Sequence, residues 1–230
     1  MPMFKSLSTH AQRLFDYVTP CSLCEVGIKQ QFGVCQSCWQ QLPWLKQQIQ
    51  RNQQQVYVAC HYDYPINRII QQFKYEQKLQ HQRLLNGLLL RLRLPKVHAI
   101  VPMPISTDRL VERGFNQTLL LAKALGKTLK IPVWQPIQRL AQHSQKGLSR
   151  IERLENIEQQ FVAKSSNTIC YRTVLILDDV MTTGSSITAL SQALEQLGCQ
   201  KIYAACLAAG QVKDRPSSID FADTMESQLR

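Results

Sequence analysis

The chain has 230 residues, 44% of them hydrophobic, and its basic residues outnumber the acidic ones by 11. That length holds one α/β core and a small appendage, and the composition is that of an ordinary globular protein, not a disordered or fibrous one. The longest apolar run, Ile202 to Ala209, is far too short to span a bilayer.

At the N-terminus, Phe4, Leu7, Ala11, Leu14, Phe15 and Val18 are spaced like one face of a helix, with no contiguous apolar core of a signal peptide. A cytoplasmic location without membrane insertion is therefore expected. Next come Cys21-Ser22-Leu23-Cys24, ten further residues, and Cys35-Gln36-Ser37-Cys38. Two Cys-x-x-Cys pairs across a short loop offer four thiolates to a tetrahedral Zn²⁺, and Gly33 suits the turn before the second pair. With cysteine in all four positions the ion would be structural. A redox pair or an iron–sulfur site is the alternative for the same spacing. Cys60, Cys170, Cys199 and Cys206 are scattered singly, and the last two suit an apolar core. Residues 1–46 thus read as an N-terminal helix with a four-cysteine module. The Gln-rich stretch 47–55 has little to bury and reads as a linker or an exposed helix end.

Residues 56–210 alternate between strand and helix patterns. Val56–Tyr62 reads as a strand, Ile66–Tyr75 as an amphipathic helix and 80–93 as a second, basic helix. His98–Ser106 is a buried strand halted by Pro102 and Pro104. The two prolines preset the backbone of Met103, Pro104, Ile105 and Ser106 to receive an anion. A loop beyond carries Arg109 and Arg113, and Asn116 caps a helix from Thr118 to Leu129. After a strand near Val133, the segment Arg139–Arg153 sets Arg139, Lys146 and Arg150 among glycine and serine. It suits a mobile cover over an anionic ligand, or a solvated loop. Lys201–Ala208 is a last strand, and 211–230 a polar tail. Strands near 56, 97, 133, 174 and 201 with helices between predict a parallel α/β sheet with its ligand at the carboxyl edge. Residues 46–154 carry a net +13, against +1 before and −3 after, so the basicity is concentrated mid-chain. Such a segment suits nucleic acid or a polyphosphate pocket.

The most informative stretch is Val174-Leu175-Ile176-Leu177-Asp178-Asp179-Val180-Met181-Thr182-Thr183-Gly184-Ser185-Ser186. It begins as a strand buried on both faces, passes two carboxylates and a small hydroxyl-rich turn, and continues as a helix from Ile187 to Leu194. Backbone N–H groups from Thr182 to Ser186 would converge on a phosphate at a helix N-terminus. Gly184 permits close approach, and the hydroxyls add donors. Asp178 and Asp179 suit ribose hydroxyls, or a Mg²⁺ shared with a diphosphate.

Leu177–Ser186 resembles the phosphoribosyl diphosphate (PRPP) motif of type I phosphoribosyltransferases. With the four-cysteine N-terminus and the pentad Arg113-Gly114-Phe115-Asn116-Gln117, the chain resembles the ComF family over nearly its whole length. One departure is Ala141-Gln142-His143, where relatives often carry a threonine-containing stretch. The resemblance implies a type I phosphoribosyltransferase-like parallel sheet flanked by helices, binding PRPP with Mg²⁺. Thr182, Thr183, Gly184, Ser185 and Ser186 would hold the 5′-phosphate, and Asp178 and Asp179 the ribose. Met103–Ser106, with Lys74 or Arg109, would take the diphosphate, while a closing loop brings up Arg139, Lys146 or Arg150.

It also implies natural competence, the uptake and handling of incoming DNA, with single-stranded DNA and other competence proteins as partners. The residues alone add the basic segment, the cysteine module, and Trp39, Trp44, Phe73 and Tyr75 for stacking. Arg68, Lys74 and Arg113 are the candidate nucleic-acid contacts. The acceptor of any transfer stays open. The alternatives are a nucleotide-salvage transferase acting on a nucleobase, and a catalytically silent PRPP sensor or DNA adapter.

Overall fold

A computed structural model describes residues 19–52, 54–140, 160–164 and 169–210. They form strands β1 (Trp44–Arg51), β2 (Gln54–His61), β3 (Ala99–Pro102), β4 (Ile137–Arg139), β5 (Phe161–Ala163), β6 (Thr173–Met181) and β7 (Lys201–Ala209). The helices are α1 (Gln36–Gln40), α2 (Ile66–Tyr75), α3 (Gln82–Leu89), α4 (Thr107–Arg113), α5 (Gln117–Leu129) and α6 (Ser185–Gln196). Five strands make one sheet in the order β1-β2-β7-β6-β3, and β4 and β5 form a separate antiparallel ribbon. All pairings from β2 across to β3 are parallel, as the helical crossovers require, and β1 is antiparallel.

Alternation along β6 sorts its side chains between two layers. Leu175 and Leu177 pack with Ile70 and Phe73 of α2, Leu85 and Leu88 of α3, and Leu121 and Leu125 of α5. Val174 and Ile176 pack on the other face with Ile187, Leu190 and Leu194 of α6 and with Phe161 of the ribbon. Each of these fully buried side chains contributes about 1.5–3 kcal/mol. The first layer also contains Cys21, Val34, Cys35 and Leu42, so the cysteine module shares a core with the sheet. Its docking needs Gly87 on α3, where a Cβ would fall 2.4 Å from the Phe32 ring.

Four expectations change. The Gln-rich stretch 47–55 is not a linker: Gln47 to Arg51 pair in register with Val58 to Gln54. It is polar because an edge strand leaves one face and one side to solvent, and it makes the sheet mixed instead of wholly parallel. The segment carrying Arg109 and Arg113 is helix α4, ended by Gly114 at φ 75°. The basic helix expected over 80–93 is shorter, at Gln82–Leu89. The strand near Val133 is a single bridge to Ile100. The N-terminal helix face, Lys146 and Arg150 lie outside the described residues.

The sheet's edges place the crevice. Pairing of β3 with β6 stops at Pro102 and Leu177, whereas β6 continues beside β7 to Met181 and Ala209. Asp178 to Met181 are thus open on the β3 side, at the carboxyl edge of the parallel strands, where ligands of such sheets sit.

Candidate functional site

The turn from β6 into α6 has the form expected of an anion cradle. Gly184 sits at φ 85° as the N-cap of α6 and brings no side chain of its own to cap that helix. Thr183 Oγ1 accepts from the Ser185 N–H at 3.4 Å, and first-turn N–H groups of this kind are suited to an anion. Thr182 and Thr183 are exposed, and the Thr183 and Ser185 hydroxyls lie 2.9 Å apart. Gly184 is favoured by its left-handed φ, and Arg51 crowds it, its Cβ standing 3.1 Å from where a Cβ on Gly184 would fall. Arg51 is the residue that sequence reasoning misses, because it lies in the stretch expected to be a linker. Its Nε is buried without a partner among the described residues.

The adjacent carboxylates face opposite layers. Asp179 is 4% exposed and fully engaged: Lys74 Nζ lies 2.8 Å from Oδ1, and Gln117 Nε2 donates to Oδ2 at 2.9 Å. The N–H of Val180 adds a third donor to Oδ1 at 2.6 Å. Asp178 points the other way and is half-buried. Burial, with the charge of Asp179 beside it, pushes its carboxyl up to about 7, against the pull of Lys74 and Arg139. Burial lowers Arg139, with the positive charge of Arg109 adding to the effect and Asp178 opposing it. Asp178, Arg109 and Arg139 therefore share one electrostatic neighbourhood. Lys74, expected at a diphosphate, is instead held by Asp179.

The pentad that closes α4 fixes the remaining loop. Asn116 accepts from the N–H groups of Thr118 and Leu119 at 2.9 and 3.1 Å, capping α5, while its Nδ2 donates to the Met103 carbonyl at 3.2 Å. Thr118 Oγ1 lies 2.7 Å from the same carbonyl, and Met103 N donates to Leu177 O at 2.8 Å. Met103 is thereby tied to β6 and α5 together. Pro104 and Ile105 then line a cleft of about 620 Å³ with Leu110, Phe115 and Arg139.

The four cysteine sulfurs of the N-terminal module lie within 4.8 Å of one another. A tetrahedral ion at about 2.3 Å from each sulfur spaces them about 3.8 Å apart, and Cys24 and Cys35 stand at 3.8 Å. Cys21 Sγ accepts from the N–H groups of Leu23 and Cys35. The N–H groups of Gly27 and Val26 draw the Cys24 thiol down to about 6. A Cβ on Gly27 would strike Cys35 Sγ at 2.8 Å, so the knuckle closes only around glycine. This donor set fits a metal ion.

Comparison with known proteins decides the family. Competence protein F of Haemophilus influenzae is 33% identical over 201 residues, covering 79% of this chain and 86% of its own. This chain belongs to the ComF family. The DNA utilization protein YhgH of Escherichia coli K12 is 28% identical over 204 residues, covering 82% of this chain and 83% of its own. The model of the phosphoribosyl transferase domain matches residues 121–228. Among solved structures, an orotate phosphoribosyltransferase from Aeropyrum pernix is 16% identical with a TM-score of 0.37, over 59% of this chain and 63% of its own. The domain match and the open carboxyl edge give this ComF chain the type I phosphoribosyltransferase fold, its sheet mixed by the antiparallel β1.

In this ComF chain the expected residues divide into groups. Asp178, Asp179, Lys74, Arg109, Arg139, the Met103–Ser106 loop and the Thr182–Ser186 turn gather at one sheet edge. Arg68 does not join them. It lines a groove of about 520 Å³ against Cys24 and Cys38, with Tyr64 at its rim. Among the described residues, no helix is long and apolar enough to cross a membrane.

Proposed function

We propose that this ComF-family chain acts in natural competence, handling incoming DNA, through a domain that binds PRPP with Mg²⁺ and transfers its phosphoribosyl group. The observation that carries the PRPP site is the hydroxyl-lined glycine turn at the start of α6, beside a carboxylate at the open edge of β6. The names of its relatives, a competence protein and a DNA utilization protein, support the cellular role.

In this reading the N–H groups and hydroxyls of Thr182–Ser186 hold the 5′-phosphate, and Asp178 accepts from the ribose hydroxyls. Mg²⁺, when bound, screens the diphosphate charge; Asp178 and the ligand's own oxygens would hold it. The Met103–Ser106 loop with Arg109 and Arg139 receives the diphosphate as the bond from C1 to its oxygen breaks and an acceptor nucleophile attacks C1. Lys146 and Arg150 add further positive charge over the departing group. Asp179 serves by holding Lys74 and Gln117 in place. The four cysteines bind a structural zinc, and the protein works where PRPP and reduced thiols coexist, in the cytoplasm.

Calorimetric titration of PRPP with Mg²⁺ tests the site. Wild type should bind, and Asp178→Ala and Thr183→Val should each bind at least about tenfold more weakly. Absence of binding by folded wild type would leave the motif as scaffold only.

A second reading, direct contact with single-stranded DNA, has its own support. Residues 26–62 and 77–107 contain no acidic residue. They meet in a groove of about 570 Å³ lined by Lys46, Gln48, Tyr57, Arg91 and Arg93. Lys46, at φ 50° in a bulge of β1, stands 4.0 Å over Trp44. Cations backed by aromatics suit a phosphodiester strand. Oligonucleotide anisotropy should show steep salt dependence that Lys46, Arg91 and Arg93 neutralisation flattens. A slope indifferent to that change removes the groove from the reading.

A further inference from the structure

Arg113 ends α4 with only 7% of its surface exposed. Among the described residues no carboxylate pairs with it; the ion pairs there are Lys74 with Asp179 and Lys78 with Glu76. Its guanidinium carbon stands 4.7 Å from the centre of the Tyr75 ring, and Nη2 lies 3.2 Å from the Tyr75 hydroxyl. Its Nε is buried with no partner among the described residues. A cation withdrawn from water is expensive unless a counter-charge meets it, and a ring face with one neutral acceptor recovers only part of that cost. Glu112, the adjacent residue, is exposed and makes no ion pair among the described residues, and two carboxylates on neighbouring elements are committed elsewhere. Glu76 binds Lys78 at 2.8 Å, and Asp179 holds Lys74 and Gln117. Gln117 in turn keeps a buried Oε1 without a donor among the described residues. Tyr75 is the solvent-side cover of this cluster, 60% exposed.

We infer that Arg113 and Tyr75 form a phosphoryl clamp beside the phosphoribosyl site, its counter-charge supplied by a ligand. This rests on the PRPP reading of that site and adds a residue to it. Arg113 lies three residues before Asn116, which holds the Met103 carbonyl. Guanidinium and anion loop are thus anchored to one short stretch of chain. A guanidinium presents Nε and Nη2 side by side, a fork that matches two oxygens of one phosphoryl group; the Tyr75 hydroxyl, released from Nη2, donates to a third. Two sources share this chemistry: the diphosphate of the donor, and a terminal phosphate carried by the acceptor.

The test titrates wild type, Arg113→Lys and Tyr75→Phe with PRPP and Mg²⁺, with inorganic diphosphate, and with one oligonucleotide bearing either a 5′-phosphate or a 5′-hydroxyl. Lysine keeps the charge but not the fork, so Arg113→Lys should weaken its phosphoryl ligand about tenfold or more, and Tyr75→Phe several-fold. Losses confined to PRPP and diphosphate assign the clamp to the donor. Loss confined to the 5′-phosphorylated strand assigns it to the acceptor. If both variants match wild type for every probe while PRPP still binds, the clamp is refuted and the phosphoribosyl site stands. If wild type binds no PRPP, the parent reading falls, and the oligonucleotide arms alone decide the clamp. Should Arg113→Lys fail to fold, Tyr75→Phe, altered at an exposed ring, decides by the same criterion.

Discussion

Replacing Lys74 by methionine should destabilise the fold strongly, although Lys74 looks from the sequence like a ligand residue. The lysine ammonium lies 2.8 Å from an Asp179 oxygen, and the two side chains are 17% and 6% exposed. Methionine keeps the apolar stem and deletes the charge, leaving Asp179 with Gln117 and the Val180 N–H as partners. Breaking a buried pair from one side costs about 3–5 kcal/mol. The two remaining donors and the partial exposure of Lys74 place the expected loss at about 2–3 kcal/mol. For a chain of this size each kcal/mol moves the melting temperature by about 2–4 °C, so a fall of about 4–12 °C is expected. Adding Asp179→Asn removes the orphaned charge while still offering Gln117 an acceptor, and should restore more than half of the loss. Thermal unfolding followed by circular dichroism, with urea titration beside it, measures all three proteins. If Lys74→Met melts with wild type, or the double variant is no better than the single, the pair is not what holds these helices to β6.

Two further outcomes follow from the site. Burial and the neighbouring Asp179 hold the Asp178 carboxyl near 7, above its ordinary range. A raised acid favours the protonated folded state, so its contribution to stability declines as pH rises from the ordinary carboxyl range toward 7. Binding that needs the carboxylate changes in the opposite sense. PRPP affinity should therefore climb between about pH 6 and pH 8, and Asp178→Asn should be weaker and lack that component; equal pH slopes in the two proteins would contradict the assignment. The cysteine module should carry one zinc per chain by native mass spectrometry. Chelation should shift tryptophan emission, because Trp39 follows Cys38 and packs on Phe32 and Trp44 at 5.1 and 4.8 Å. A metal-free chain with chelator-insensitive emission would point instead to reduced, unliganded thiols.

Much of the fold and of the candidate site is legible in the order of the residues. Val174–Leu177 is apolar without alternation, which only a strand covered on both faces tolerates. The hydroxyl turn around Gly184, the Asn116 cap and the paired Cys-x-x-Cys spacings are local chemistry, in which a residue type and its near neighbours decide the geometry. The expectations that changed depended on distant partners. Gln47–Arg51 is polar and unremarkable by composition, and becomes a strand because Gln54–Val58 offers backbone partners to its own. Asp178 and Asp179 look equivalent side by side. A strand's period of two sends Asp179 into a layer with Lys74, 105 residues earlier in the chain, and leaves Asp178 at the crevice.

By itself, then, the sequence determined the buried strand β6, the glycine turn that follows it and the four-cysteine cluster, since each is set by residue types at short spacing. Only the tertiary structure decided which charges are spent on each other and which remain for a ligand. Lys74 is neutralised by Asp179, while Arg113 is buried with no counter-charge among the described residues. Pairing between side chains far apart in the chain is decided by packing, and local sequence carries no record of it.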